Sequence, residues 1–353
     1  MVNEIVIWAH SECRSTMSLY REVKRQAGVP VVVVVRRSER GESARRMREA
    51  QGQGAGEFAD VVDGEWDGGL RSGREIIAAH SGAGTVHVFS GYQASAAVRR
   101  LICEAHEKGC MVAVYDEAPC EMCIGCKAWL KRLYYRFILP CKVHKVTRDA
   151  DLFLSASGRK GIGRLKRLGW AEGKIVPFGY ASDFNCEGKV GDKSWSGRKD
   201  VSLRVLHTGI ETPYRDVATL KRAVGILKGD GIAAELVCTG GNVPHDELNR
   251  LYGWADVFVA CGLCEPWGMR VNDAIHAGLP VVVSNGMGAE WLVEQFGCGC
   301  VYEKGCAEEL AAILRRFAAD SEFRSRLLSG VNAAHEAWSP EARAKVLLDV
   351  IKA

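Results

Sequence analysis

Short apolar runs rich in valine and isoleucine recur along the chain, and each is followed by a stretch whose apolar positions repeat every three to four residues. In the first half the runs are 4–9, 29–36, 58–63, 86–90, 111–115 and 152–155; in the second they are 203–207, 234–239, 257–260, 280–284 and 299–302. Strands of this length alternating with helices predict right-handed βαβ crossovers and a mostly parallel sheet. The central runs are apolar without alternation, as strands covered on both faces require. Between Tyr180 and Val201 the pattern breaks into a polar, Gly-rich, aperiodic stretch that reads as a linker between two doubly wound halves. The expected division is an N-terminal domain over 1–180, a hinge over 181–200, a C-terminal domain over 201–338 and a terminal helix over 339–353. By pattern alone that helix can pack on either half. Ligands of doubly wound sheets sit beyond the carboxyl ends of the strands, so two such lobes predict a cleft between domains.

Composition narrows the class. A chain of 353 residues is long enough for two domains. Its 47 Lys and Arg against 43 Asp and Glu leave a balance of +4, too small to argue for nucleic acid. The longest apolar run, Val29 to Val35, falls far short of the ~20 residues a membrane span needs. Met1-Val2-Asn3-Glu4 lacks the basic start of a secretory signal. Integral membrane, secreted, collagen-like and disordered classes are therefore not expected. In a reduced cytosolic setting the 14 cysteines are expected to be buried or metal-binding rather than disulfide-paired.

The stretch from Trp254 to Leu292 carries the most chemistry. A strand ends in a loop bearing Glu265; Pro266 then suits the first turn of a helix that runs to about Ala277, where Gly278 stops it. Backbone N–H groups around Trp267, Gly268 and Met269, with the helix dipole, suit a phosphate. Asp273, about two turns down the expected helix, can reach a second polyol. Two carboxylates flanking an anion site describe a sugar, a diphosphate and a ribose.

At these residues the chain resembles the retaining GT-B glycosyltransferases of family 4. Their fingerprint, a Glu, seven residues and a second Glu, stands here as Glu265, Pro266, Trp267, Gly268, then Asp273, Ala274, Ala277, Gly278, Pro280, Val281 and Val282. Gly286 to Glu290 resembles the family's G-G-x-x-E loop, Lys174 to Phe184 its strand-and-hinge segment, and Glu308 to Phe317 its helix after the last strand. The resemblance implies a GT-B fold, two Rossmann-like lobes facing a cleft with a C-terminal helix crossing back. It also implies transfer of a hexose-type sugar from a nucleotide donor to a glycan or lipid-linked hydroxyl acceptor, with no cofactor required. Glu265 would bind sugar hydroxyls as the catalytic residue and Asp273 the ribose. Gly268, Met269 and Arg270 would flank the diphosphate beside Pro266 and Trp267.

Several positions depart from the family pattern. The second carboxylate is Asp. Gly209 is followed by Ile210 where an Arg is usual, and Arg215 stands where a Lys is usual; Arg215 can pair bidentately with phosphate. The segment from Glu235 to Leu248 is compressed, leaving Thr239 and Gly240 as donor contacts near the base. In the first half, His10 to Ser15 replaces a Gly-Gly acceptor loop, and Ser90 replaces a histidine. By position alone Arg14, Ser90, Tyr92, Asp116 and Glu117 are acceptor-side candidates. These departures keep open a nucleotide-sugar epimerase or a non-catalytic sugar-nucleotide-binding protein of the same fold.

Two further features stand apart. Cys120, Cys123 and Cys126, with Cys141 beyond, have spacing that suits a structural Zn2+ or an iron–sulfur cluster; packing cysteines are the alternative, and a metal-stapled interaction protein is the function that would follow from the former. Lys127 to Leu139 interleaves Lys127, Lys131, Arg132 and Arg136 with Trp129, Leu130, Leu133, Tyr134 and Phe137. That pattern suits a helix on an anionic membrane, as for a cytoplasmic, peripheral protein, or a core-facing stripe with a solvated basic face.

Overall fold

The computed structural model describes residues 1–9, 14–36, 61–63, 70–120, 125–184, 202–241 and 243–353. These form two compact units. The first comprises Met1–Pro119, Cys126–Ala181 and Pro340–Ala353; the second comprises Cys120–Gly125 and Ser182–Ser339. Residues 185–201, most of the expected hinge, lie outside the described residues.

The first unit is built on seven parallel strands: β1 (Glu4–Ala9), β2 (Val31–Arg36), β3 (Val61–Asp63), β4 (Thr85–Phe89), β5 (Met111–Asp116), β6 (Leu152–Ser155) and β7 (Ile175–Pro177), in the order β3-β2-β1-β4-β5-β6-β7. Its helices are α1 (Arg14–Gln26), α2 (Leu70–Ala79), α3 (Ala96–Glu107), α4 (Cys126–Leu133), α5 (Leu139–Asp149) and α6 (Ile162–Arg167). β1 shows why its sequence is apolar from Ile5 to Ala9. Val6 and Trp8 face a core with Leu101 and Ile102 of α3 and Val143 of α5, while Ile5, Ile7 and Ala9 face Tyr20 and Val23 of α1. Each face of the strand is covered, so Ile5 to Ala9 are all buried. Ser95 caps α3, its Oγ accepting from the Val98 N–H at 3.2 Å.

The second unit has five parallel strands: β8 (Leu203–His207), β9 (Ala234–Cys238), β10 (Val257–Ala260), β11 (Val281–Ser284) and β12 (Gly299–Tyr302), in the order β12-β11-β10-β8-β9. Around them lie α7 (Val217–Gly229), α8 (His245–Trp254), α9 (Met269–His276), α10 (Glu290–Phe296), α11 (Ala307–Ala319) and α12 (Ser321–Ala337). One face is filled by Leu220 and Leu227 of α7 with Leu310 and Leu314 of α11.

The terminal helix α13 (Pro340–Lys352) packs in the first unit, settling which half it joins. Leu347 and Ile351 meet the core beside Tyr20. Arg343 donates to the Phe178 carbonyl at 2.8 Å, and Lys352 to the Ala27 carbonyl at 2.7 Å.

Candidate functional site

In the second sheet the chain leaves β8 outward to β9, then returns to the other side of β8 to lay down β10. The switch point therefore falls between β8 and β10, where doubly wound sheets leave a crevice. The loops beyond these two strands carry Gly209 to Asp216 and Cys261 to Gly268. They bring Arg215 to Glu265: one guanidinium N–H group lies 3.5 Å from Glu265 Oε1, and another donates to the Ile210 carbonyl at 3.2 Å. Burial raises the pKa of Glu265, and the nearby Arg215 and Arg270 oppose that rise.

Backbone lacing holds the Glu265 loop. Its N–H donates to the Gly286 carbonyl at 3.0 Å, and its carbonyl accepts from the Gly288 N–H at 3.2 Å. A Cβ on Gly286 would lie 2.1 Å from the Gly262 carbonyl oxygen, so this crossing admits only glycine without a backbone shift. The G-G-x-x-E-like segment is thus a clamp on the neighbouring loop.

Helix α9 begins at Met269, not at Pro266 as the sequence predicts. Gly268 caps it with φ +109°, a left-handed conformation that delays the first helical turn past Pro266 and Trp267. Asp273 is consequently about one turn into the helix, not two. The N–H groups of Met269 and Arg270 meet no acceptor among the described residues. They form, with the helix dipole, a site for an anion next to Glu265.

Asp273 is 14% exposed and held from two sides. Ser182 Oγ donates to Oδ1 at 2.8 Å, and Arg270 approaches Oδ2 at 3.3 Å. Burial raises its pKa against the lowering effect of Arg270 and Ser182. Ser182 was not singled out from sequence; it lies at the start of the polar stretch, where its type carries no signal. Phe184 was also missed. Its ring packs on Tyr252 at 4.9 Å and on His245 at 5.3 Å between centroids, and the spacing of single aromatics across three segments cannot announce this.

The Trp267 side chain does not serve as a donor contact. It is buried, its Nε1–H donates to Asn272 Oδ1 at 2.7 Å, and its ring stacks on Trp338. Pro266 only leads into the cap. Thr239 and Gly240 follow β9 directly, and the Thr239 N–H donates to the His207 carbonyl at 3.0 Å.

The first-unit candidates separate. Tyr92 is fully buried in the core, edge-on to Phe153 and Trp170, which removes it from the acceptor side. Ser90 follows β4 and donates to the Trp8 carbonyl at 2.9 Å. Asp116, at the end of β5, accepts from the N–H groups of Gly91 and Glu117 at 3.1 and 2.8 Å. Burial pushes its pKa up to about 6. Glu117 accepts from Tyr180 Oη at 3.3 Å. Arg14 opens α1, but its side chain lies outside the described residues.

The structure does not gather the cysteines. Cys120 Sγ lies 3.0 Å from Cys264 Sγ, Cys126 and Cys141 are exposed, and Cys123 lies outside the described residues. Among the described residues no three His, Cys, Asp or Glu side chains are grouped to hold a metal ion.

Residues 232–330 match the model of the glycosyl transferases group 1. That segment is similar to a group 1 glycosyltransferase domain. It spans β9 to α12 and includes Glu265, the α9 N-terminus and Asp273. Solved structures share the fold of the whole chain. Anabaena Alr3699/HepE in complex with UDP-glucose superposes with a TM-score of 0.65 at 13% identity, over 99% of both chains. Sucrose-phosphate synthase from Thermosynechococcus elongatus gives 0.64 at 14% identity, over 99% of this chain and 98% of that one. The lipopolysaccharide outer core galactosyltransferase WaaB in its apo form gives 0.64 at 10%, over 99% of both. At these identities the likeness establishes the GT-B fold. No curated protein sequence matches the chain. The group 1 match and the GT-B fold agree with the coarser part of the resemblance read from Glu265 to Val282, a glycosyltransferase of that fold.

Proposed function

We propose that this group 1 glycosyltransferase moves a hexose-type sugar from a nucleotide-sugar donor to a hydroxyl acceptor, with retention at the anomeric carbon. The observation that carries this reading is the partly buried Glu265 carboxylate beside Arg215, with the open N-terminus of α9 following in the chain. The N–H groups of Met269 and Arg270 bind the donor diphosphate, and the guanidinium groups of Arg215 and Arg270 neutralise it as it departs. Arg215 and Arg270 then take the place of the two cations usual in the family. Glu265 accepts hydrogen bonds from sugar hydroxyls and fixes the anomeric carbon against the acceptor. Asp273 has lone pairs beyond those engaged by Ser182 and Arg270, and these accept from the ribose. Catalysis rests on positioning and on charge stabilisation as the sugar–phosphate bond breaks. The UDP-glucose in the Anabaena structure supports a uridine donor as the first to try.

The test is a thermal-shift screen of UDP, GDP and ADP and their hexose conjugates, followed by donor turnover with NMR of the anomeric proton. Selective stabilisation by one nucleotide and a product of unchanged anomeric configuration are expected. Release of an inverted sugar overturns retention. Interconversion of the donor sugar without transfer turns the reading to an epimerase.

A further inference from the structure

The segment after Gly125 presents a face that the first unit does not use. α4 and α5 are joined by a single π turn, Tyr134–Ile138, in which the Leu139 N–H bonds to the Tyr134 carbonyl. One side of this segment is fully employed: Ala128, Leu139, Val143 and Val146 are buried, and Tyr134 and Tyr135 pack against the core. On the other side Trp129, Leu130, Phe137 and Ile138 are 58%, 57%, 60% and 49% exposed. Among the described residues only Met1 and Ile210 are other large hydrophobic side chains left so open. Tyrosines thus face inward, while the Trp, Phe and aliphatic side chains next to them in sequence face water.

The charge along this segment has one sign. Lys127, Lys131, Arg132, Arg136, Lys142 and Lys145 occur between Gly125 and Lys145, with no Asp or Glu among them. These six cations exceed the +4 balance of the entire chain. The Arg136 guanidinium lies 5.6 Å from the Phe137 ring centroid, so charge and apolar surface are interleaved rather than separate. A second copy of the chain does not fit, because a two-fold contact would set like charges against each other.

We infer that α4 and the π turn form a landing surface for an anionic lipid bilayer, with Trp129, Leu130, Phe137 and Ile138 entering the headgroup region and Lys127, Lys131, Arg132 and Arg136 meeting the lipid phosphates. Among the described residues no helix is long and apolar enough to cross a membrane, so the contact is peripheral. The inference is independent of the donor chemistry, because none of these residues belongs to the Glu265 site.

Co-sedimentation of the full chain with vesicles of phosphatidylcholine alone, and with phosphatidylglycerol added, tests it. Binding to the anionic vesicles only, falling as salt is added, is expected. Lys131→Gln with Arg132→Gln should weaken it about thirty-fold, from about 1 kcal/mol per cation near such a surface. Trp129→Ser with Phe137→Ser should also release the protein, with unchanged melting temperature and unchanged nucleotide stabilisation. Wild type left in the supernatant with both vesicles overturns the inference. So does equal binding to both lipids, a fall in melting temperature for Trp129→Ser, or a self-associating or acidic-protein contact that blocks the face while vesicles do not bind. Nucleotide stabilisation measured on the same samples reports the donor site separately.

Discussion

Two carboxylates stand at the carboxyl ends of parallel strands, Asp116 closing β5 in one sheet and Glu265 on the loop after β10 in the other, and they have opposite fates. Asp116 after β5 is answered by its own backbone, the N–H groups of Gly91 and Glu117. Glu265 after β10 is answered by a side-chain cation 3.5 Å away, while the backbone N–H groups of the next helix remain open. Burial raises the pKa of both. What differs is whether the loop closes on its own acid. A carboxylate whose oxygens are taken by backbone donors locks a turn, whereas one held at a distance by an arginine leaves acceptor capacity for hydroxyls.

Exchanging the two roles by mutation should give the largest effect. Glu265→Gln is expected to cut sugar transfer at least a hundredfold while the melting temperature holds or rises, since a buried charge has been removed. Asp116→Ala is expected to do the reverse, losing about 1–3 kcal/mol of stability with donor affinity unchanged. Steady-state turnover and denaturant melts on both variants check this. If Asp116→Ala lost turnover without stability, the contrast between the two loops would collapse.

Acid should act on both units alike. His87 and His276 are buried, one in each sheet's packing, and burial lowers each pKa to about 4 from 6.5. The folded state holds them neutral and the unfolded chain protonates them. Their contribution is present above pH 6.5 and is lost as pH falls toward 4, by about 3 kcal/mol per histidine. Urea midpoints measured between pH 7 and 4.5 should fall steadily. His276→Phe, if it folds, should flatten part of that slope.

Arg215→Ala should weaken nucleotide stabilisation about ten- to a hundredfold, the size of a charge-assisted contact. Calorimetry with UDP and UDP-glucose would show it, and unchanged affinity would remove Arg215 from the diphosphate. Asp273→Asn, with Ser182 still able to donate to the amide oxygen, should cost only a few-fold in nucleotide affinity and less in turnover. A larger fall in turnover than in affinity would move Asp273 from the ribose to the reacting sugar.

The strand pattern and the position of Glu265 were legible because they depend on local order. Val257 to Ala260, Glu265, Gly268 and Pro280 lie within one crossover, and each type has a backbone reason for its place. What was not legible depends on distant partners. Tyr92 sits two residues past Ser90 on an exposed-looking loop, yet Phe153 and Trp170 bury it. Trp267 lies in the middle of the motif, but Trp291 and Trp338 claim its ring. The delayed start of α9 comes from Gly268 adopting a positive φ, which the residue allows but does not announce. β7 is only three residues long and ends in a proline, below what an apolar run can signal, so only the family resemblance of Lys174 to Phe184 pointed to it.

The terminal helix has a consequence for biosynthesis. α1 shares a core cluster with Leu347 and Ile351 of α13, whose residues lie more than 150 positions after Ala181 in the chain. At about 5–20 residues per second a ribosome would need roughly 10–30 s to deliver them. During that interval the first seven strands can pair, but the outer flank of α1 stays wet and adhesive. The unit that is translated first is therefore the one completed last, and a chain cut after Ala181 should emerge as a sticky, chaperone-bound species rather than an independent domain.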